Sequence, residues 1–157
     1  MTVTPPPSSI PLLTLVIPSL NQAPFLEGAI RSVLDQQSAA VECLVMDGGS
    51  TDGSVEIIRR YADRLAYWRS GPDAGQSAAI NEGFNRSTGE IMGWLNSDDR
   101  LTPGALNTVG RFFAEHPDCE WLAGAGEMVS PTGRNLGRTT PGAMDFDALV
   151  DWDRHPL

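Results

Sequence analysis

The stretch "LNSDDR" at residues 95–100 sets Asp98 and Asp99 side by side, directly after the apolar run "EIMGWL". Adjacent like charges repel, and each raises the other's cost of ionisation. A helix-start acid, stabilised by the dipole of the helix that follows, explains one of the two. A hard divalent cation explains both, because Mg2+ or Mn2+ is held through one or two carboxylates and completes its shell with phosphate oxygens and water. Placed there, the cation would offset the charge of a diphosphate and stabilise it as a leaving group.

Two further loops carry polar chemistry. In "DGGSTDG" (47–53), Gly48 and Gly49 allow backbone N–H groups to come close to a ligand, and the next helix presents its N-terminus to an anion. A tight turn with a helix cap uses the same letters, and the stretch is neither a G-x-G-x-x-G fingerprint nor a P-loop. In "DAGQSAAINEG" (73–83), Asp73, Gln76 and Asn81 surround a helix start, and Gly75 permits close approach. Amide side chains both donate and accept, which suits hydroxyl-rich ligands or a nucleoside; solvent-exposed amides beside an ordinary cap are the plain alternative. His116 and His155 sit in unrelated polar contexts, and neither is assigned a catalytic role. Trp94, Trp68 and Trp121 read as core rather than as sugar platforms. No G-x-S-x-G elbow is present.

Hydrophobic patterning supplies the elements that must position these loops. "LLTLVI" (12–17) is a short β-rich run ended by Pro18, as expected of a strand buried on both faces. Pro24 opens a helix whose stripe is Phe25, Leu26, Ala29, Ile30, Val33 and Leu34. "VECLVM" (41–46) is a second strand, followed by a helix with Val55, Ile58, Tyr61 and Ala62 inward and Asp52 as its cap. "LAYWRS" (65–70) is a third strand; residues 76–87 form a helix with Ile80 and Phe84 inward; "EIMGWL" (90–95) is the fourth strand. Thr102 and Pro103 suit the cap and first position of a helix with Leu106, Val109 and Phe113 inward, and "CEWLAGAGEMVS" (119–130) reads as strand before a "PTGR" turn.

Strands alternating with helices predict parallel βαβ units: a doubly wound, mostly parallel α/β sheet flanked by helices in three layers. Ligands of such sheets bind beyond the carboxyl ends of the strands. Pro18 to Asn21, Asp47 to Ser50, the 71–76 loop and Asn96 to Asp99 each follow a strand's carboxyl end, so four loops converge on one edge.

Composition narrows the partners. A net charge of −9 leaves no basic stripe for nucleic acid, yet it does not exclude small anions, because a metal can supply positive charge locally. Cys43 and Cys119 form no disulfide framework and no cysteine metal site, so a reducing, cytoplasmic setting is expected. No run reaches the ~20 apolar residues of a membrane span. The start "MTVTPPPSSIP" lacks the features of a signal peptide and reads as a stiff arm over 1–11, followed by a domain over 12–140.

"LTLVIPSLNQAPFLEGAIRSVLDQQ", "VECLVMDGGSTDGSVEIIRRY", "GPDAGQSAAINEGFNRSTGEIMGWLNSDD" and "LTPGAL" together resemble the family 2 glycosyltransferases, in order and spacing, from about residue 12 to 130. The resemblance implies the GT-A fold and an inverting transfer of sugar from a nucleotide-diphosphate sugar to a saccharide or lipid-linked acceptor. It implies that Pro18, Ser19, Leu20 and Asn21 line the nucleotide and that the acidic turn begins at Asp47. The family's D-x-D motif, commonly D-S-D-D, stands here as Asn96, Ser97, Asp98 and Asp99, with Asp98 as the metal-binding carboxylate and Asp99 supporting it. Asp73, Gln76 and Asn81 belong to the same nucleotide-sugar surface, and the implied cofactor is Mn2+ or Mg2+. Two departures stand out. Asn96 brings no charge to the metal, and Gly48 replaces an Asp that reads uracil in many relatives, which leaves UDP only as the default base. "DFDALVDWDRHPL" matches no general-base motif of the family despite Asp145, Asp147, Asp151 and Asp153, so the base is expected outside this chain, in the acceptor half that 141–157 would begin. The alternative is a module that binds a nucleotide sugar without transferring it. The further partners expected are a second copy of the chain, through an exposed apolar edge, and a membrane surface, through peripheral attachment.

Overall fold

The computed structural model describes residues 10–36, 41–130 and 134–139. These fall into two compact units, one through Asp118 and one from Cys119, a division inside the stretch that the sequence groups as one domain. The arm at 1–9 and the segment 141–157, with its four aspartates, lie outside the described residues.

In the first unit β1 (Leu13–Ser19), β2 (Val41–Asp47), β3 (Tyr67–Ser70) and β4 (Ile91–Trp94) form one parallel sheet in the order β3-β2-β1-β4. All seven residues of β1 are buried, as its unbroken apolar run requires of a central strand covered on both faces. Leu13, Leu15 and Ile17 point to one face, where they meet Leu26, Ala29, Ile30 and Val33 of α1 (Ala23–Leu34), Ile58 of α2 (Ser54–Arg60) and Leu106 of α4 (Ala105–Glu115). Val16, Leu44 and Met46 point to the other face and pack on Ala79 of α3 (Gln76–Phe84). The chain winds outward from β1 to β3, then returns across the sheet to β4. With right-handed crossovers, that reversal places α3 on the face opposite α1 and α2, giving the three-layer α/β arrangement the alternation predicts. Gly83 lets α3 lie close: a Cβ there would stand 2.6 Å from both methyls of Val16.

Several boundaries differ from the sequence expectation. Helix α4 starts at Ala105, not at Pro103, with Gly104 at φ 83° as its cap. Its start is displaced because Gln36 of the α1 end fixes residues 102–104 as a turn, donating to the Thr102 carbonyl and accepting from Gly104 N–H. Trp94 is 58% exposed rather than core: β4 is an edge strand, and α3 covers β1 and β2. Inside α3 the buried residues are Ala79 and Gly83, with Ile80 and Phe84 half-buried beside them. In the second unit, strand is confined to β5 (Gly126–Val129), which pairs antiparallel with β6 (Asn135–Thr139); residues 119–125 have apolar letters but no ladder partner among the described residues. No described helix is long and apolar enough to cross a membrane.

Candidate functional site

Register levels the loops. Ser19 pairs with Asp47, and Asp47 with Ser70, so three strands end on one rung. β4 leaves the ladder at Trp94 opposite Val16, and Leu95 N–H still bonds the Val16 carbonyl at 2.9 Å, so residues 96–99 emerge beside Pro18–Asn21. The strand order reverses between β1 and β4, and this switch point is where open α/β sheets leave a crevice. The acidic pair therefore sits at the crevice.

The β1 and β2 loops are laced together. Asn21 adopts φ 53°, a left-handed conformation that asparagine tolerates better than most residues. Its N–H donates to Ser50 Oγ at 2.8 Å, and its Oδ1 accepts from Thr51 N–H at 3.0 Å. Asp52 caps two helices at once: Oδ1 accepts from Ser54 N–H at 3.0 Å, and Oδ2 accepts from Ala23 N–H at 2.8 Å, the first residue of α1. The Ser54 hydroxyl, then the Ala23 amide, hold the Asp52 carboxyl below its ordinary range. Asp47 is fully buried. Its Oδ2 accepts from Gly49 N–H (3.1 Å), Ser50 N–H (2.9 Å) and Ser70 Oγ (2.6 Å), and its Oδ1 accepts from Ser50 Oγ. Gly48 N–H is taken by the Ser19 carbonyl at 2.8 Å. The amides of Gly48, Gly49 and Ser50 thus have internal partners, and the anion cradle that the sequence allowed at this loop is closed by its own carboxylate.

Gly48 opens toward Asp73 and Leu20. A Cβ on Gly48 would lie 3.3 Å from Asp73 Oδ2 and 3.5 Å from Leu20 Cδ1, so those two side chains line the space a side chain at 48 would fill. Leu20 is 56% exposed. Asp73 is fixed by Gly75 N–H at 2.8 Å and by Arg69, 3.6 Å away. Arg69 also donates to the carbonyls of Asp47 (3.2 Å) and Gly71 (2.8 Å) and to Glu82 Oε2 (2.8 Å), joining the ends of β2 and β3 to α3. Sequence reasoning passed over Arg69; its signal is that it is the one charged residue in "LAYWRS".

Gln76 Nε2 donates to Asn96 Oδ1 at 2.8 Å, and Asn96 Nδ2 donates to Asp99 Oδ2 at 3.2 Å, a relay from the start of α3 to the acidic pair. Asn96 therefore orients Asp99. The Asp98 carboxylate is exposed and has no hydrogen bond or ion pair among the described residues. Ser97 and Ser19 are buried, each 6% exposed, and Ser19 Oγ has no hydrogen-bond partner among the described residues. Pro18 is buried within β1; Asn81 is exposed on α3 and takes no part in the Gln76 relay. A cleft of about 460 Å³ lined by Ser50, Thr51, Glu56, Arg59, Trp68 and Ser70 lies along α2 and β3 and includes none of residues 96–99.

No group of three or more metal-binding side chains occurs among the described residues. The donor set that is present, one carboxylate without a partner and one held by a single amide, consists of hard oxygens. It fits a cation that takes one or two protein carboxylates and fills its shell with phosphate and water.

The Glycosyl transferase family 2 profile matches residues 14–142. The chain belongs to glycosyl transferase family 2. A PGL/p-HBAD biosynthesis glycosyltransferase of Mycobacterium bovis is 32% identical over 145 residues, covering 89% of this chain and 54% of the relative. A Campylobacter jejuni GalNAc(5)-diNAcBac-PP-undecaprenol beta-1,3-glucosyltransferase is 30% identical over 108 residues, covering 64% of this chain and 34% of the relative. The chain spans about half the length of the mycobacterial relative. Among solved structures, the mannosyltransferase PcManGT of Pyrobaculum calidifontis, in complex with GDP-Man and Mn2+, superposes with a TM-score of 0.62 at 27% identity, over 83% of this chain and 39% of that one. Staphylococcus aureus TarS in complex with UDP-GlcNAc shares the fold at a TM-score of 0.62 and 22% identity, over 68% of this chain and 32% of its own. The family 2 fold is thus the one the alternating strands and helices predict.

Proposed function

We propose that this family 2 chain forms the donor half of an inverting, metal-assisted glycosyltransferase, which moves a sugar from a nucleotide-diphosphate sugar to an acceptor hydroxyl in polysaccharide or glycoconjugate synthesis. The observation that carries the reading is the free Asp98 carboxylate at the switch point, next to an Asp99 oriented by Asn96 and Gln76. Asp98 and Asp99 would hold Mn2+ or Mg2+, which when bound supplies positive charge against the diphosphate leaving group. The protein's own contribution is orientation. Asn21, Asp47 and Asp52 fix the β1 and β2 loops from within, while Leu20, Asp73 and Gln76 present an apolar surface, a carboxylate and an amide to the donor. The complexes of PcManGT with GDP-Man and Mn2+ and of TarS with UDP-GlcNAc support a nucleotide-sugar donor, and the Campylobacter relative, named for a PP-undecaprenol substrate, supports a lipid-linked acceptor. The deprotonating base for the acceptor belongs to an acceptor half beyond the described residues.

Calorimetric titration of UDP, GDP and their sugars with and without Mn2+ tests the reading. Metal-dependent binding of one nucleotide is expected, and Asp98→Ala should weaken it by deleting a charged metal partner. Parent-like Mn2+-dependent affinity in Asp98→Ala would remove the metal assignment. Tight donor binding without sugar release in the presence of acceptor would identify a binding module instead.

A further inference from the structure

The segment that follows the acidic pair is fastened to α1 and to the residue just past its end. Gly28 and Ser32, one helical turn apart, share a face of α1, and Gln36 follows two residues beyond Leu34. Ser32 Oγ accepts from Leu101 N–H at 3.0 Å while donating to the Ala29 carbonyl at 2.8 Å. Gln36 makes three bonds through its amide: it donates to the Ser32 and Thr102 carbonyls, each at 2.9 Å, and accepts from Gly104 N–H at 2.9 Å. At Gly28 the Arg100 guanidinium lies against the helix, its Nε, Cζ and Nη2 in the space that a Cβ would occupy. Residues 100 and 101 are seated on α1 and residues 102 and 104 on Gln36 just past its end, whereas Asp99 is held only by Asn96, through its backbone N–H and one carboxylate oxygen, and the Asp98 carboxylate has no partner among the described residues.

The seat of Arg100 has an electrostatic consequence. A guanidinium one residue beyond Asp99 can fold back and pair with either carboxylate, which would neutralise them and compete with a cation. Arg100 forms no ion pair among the described residues; lying on the bare backbone of Gly28 keeps it off the acids.

We propose that Gly28, Ser32 and Gln36 are positioning residues for the acidic pair: they anchor the 100–104 segment and hold Arg100 away from Asp98 and Asp99. The inference rests on the reading of those two carboxylates as cation ligands. Loss of such outer partners weakens metal sites by about 10–100-fold. Free Mn2+ is measured by electron paramagnetic resonance with UDP and with GDP, and amide hydrogen exchange is followed over residues 96–104. Gln36→Met should speed exchange at Leu101 and Gly104 and weaken Mn2+ binding about tenfold. Gly28→Ala, a change that favours helix, should also weaken Mn2+ binding, and Arg100→Gln added to it should restore parent affinity. Faster exchange with unchanged Mn2+ affinity, unchanged exchange in Gln36→Met, or no restoration by Arg100→Gln overturns the proposal. A parent protein that binds no Mn2+ with either nucleotide overturns the cation reading itself, and this inference falls with it.

Discussion

Replacing Asp47 by Ala removes the acceptor for four donors at once: Gly49 N–H, Ser50 N–H and Ser70 Oγ on one oxygen, Ser50 Oγ on the other. A hydrogen bond to a charged group contributes about 1.5–3 kcal/mol, and these four are not independent, since two come from Ser50 and adjacent amides move together. Gly49 and Ser50 are half-buried, so water reaches them once the loop opens. Breaking a buried charged network costs about 3–5 kcal/mol, and that is the loss expected for Asp47→Ala. Asp47→Asn behaves differently. Its carbonyl oxygen can keep the three-donor position, and its NH2 can donate to Ser50 Oγ, whose hydroxyl rotates to accept. Charge assistance is lost and the second amide N–H is left without an acceptor in a fully buried site, a cost of about 1–3 kcal/mol. Urea denaturation paired with nucleotide titration separates the cases. The Ala variant should lose both stability and nucleotide binding, because Gly48 and Asn21 hang on this loop; the Asn variant should lose less stability, about 1–3 kcal/mol, and keep nucleotide binding. An Ala variant as stable as the parent would refute the bond accounting. A stable Asn variant that binds no nucleotide would place the Asp47 charge on the donor rather than on the loop.

Gly83→Ala drives a Cβ to 2.6 Å from both Val16 methyls. Overpacking at about 1–3 kcal/mol outweighs a helical gain of about 0.5–1 kcal/mol, so urea denaturation should show net loss, and a stabilised variant would contradict the close approach of α3. Glu42 is desolvated, which raises its pKa, yet bonds from the Thr88 hydroxyl and amide, Thr14 and Gly89 together lower it below its ordinary 4.5. A depressed folded pKa gives stability that is complete above 4.5 and is lost as pH falls through the lower folded value. Glu42→Gln should therefore flatten the acid limb of a stability–pH curve from about pH 5 downward, and an unchanged limb would discount this cluster. Burial pushes the Cys43 thiol up to about 12, while Cys119 is half-exposed. Iodoacetamide at neutral pH should label Cys119 alone in the folded protein and both thiols in urea, as mass spectrometry would show; labelling of Cys43 without denaturant would contradict its burial in β2.

Much of the scaffold was legible because its signals are local. "LLTLVI" has no polar position to expose, and β1 is indeed buried throughout. The stripe of α1 held at Leu26, Ala29, Ile30 and Val33, though Phe25, at the rim, is 46% exposed. Where the sequence reading failed, a long-range partner intervened. Thr102 and Pro103 carry good cap chemistry, but Gln36, 66 residues away, takes the Thr102 carbonyl and moves the helix start. Trp94 looks like core in a strand of apolar letters, and only its place at the sheet edge exposes it.

By itself the sequence determined the order of strands and helices, the loops that carry acids and amides, and the pairing of Asp98 with Asp99 at a strand's end. Those follow from periodicity and residue type, which act over a few residues. Tertiary structure alone decided that Asp47 faces inward to four donors while Asp98 faces out with none among the described residues. It also decided that Asp73 lies beside Gly48, and that Arg100 rests on Gly28 instead of on its neighbouring acids. The environment of a carboxylate is set by groups from distant parts of the chain, and strand register and helix packing bring those groups together.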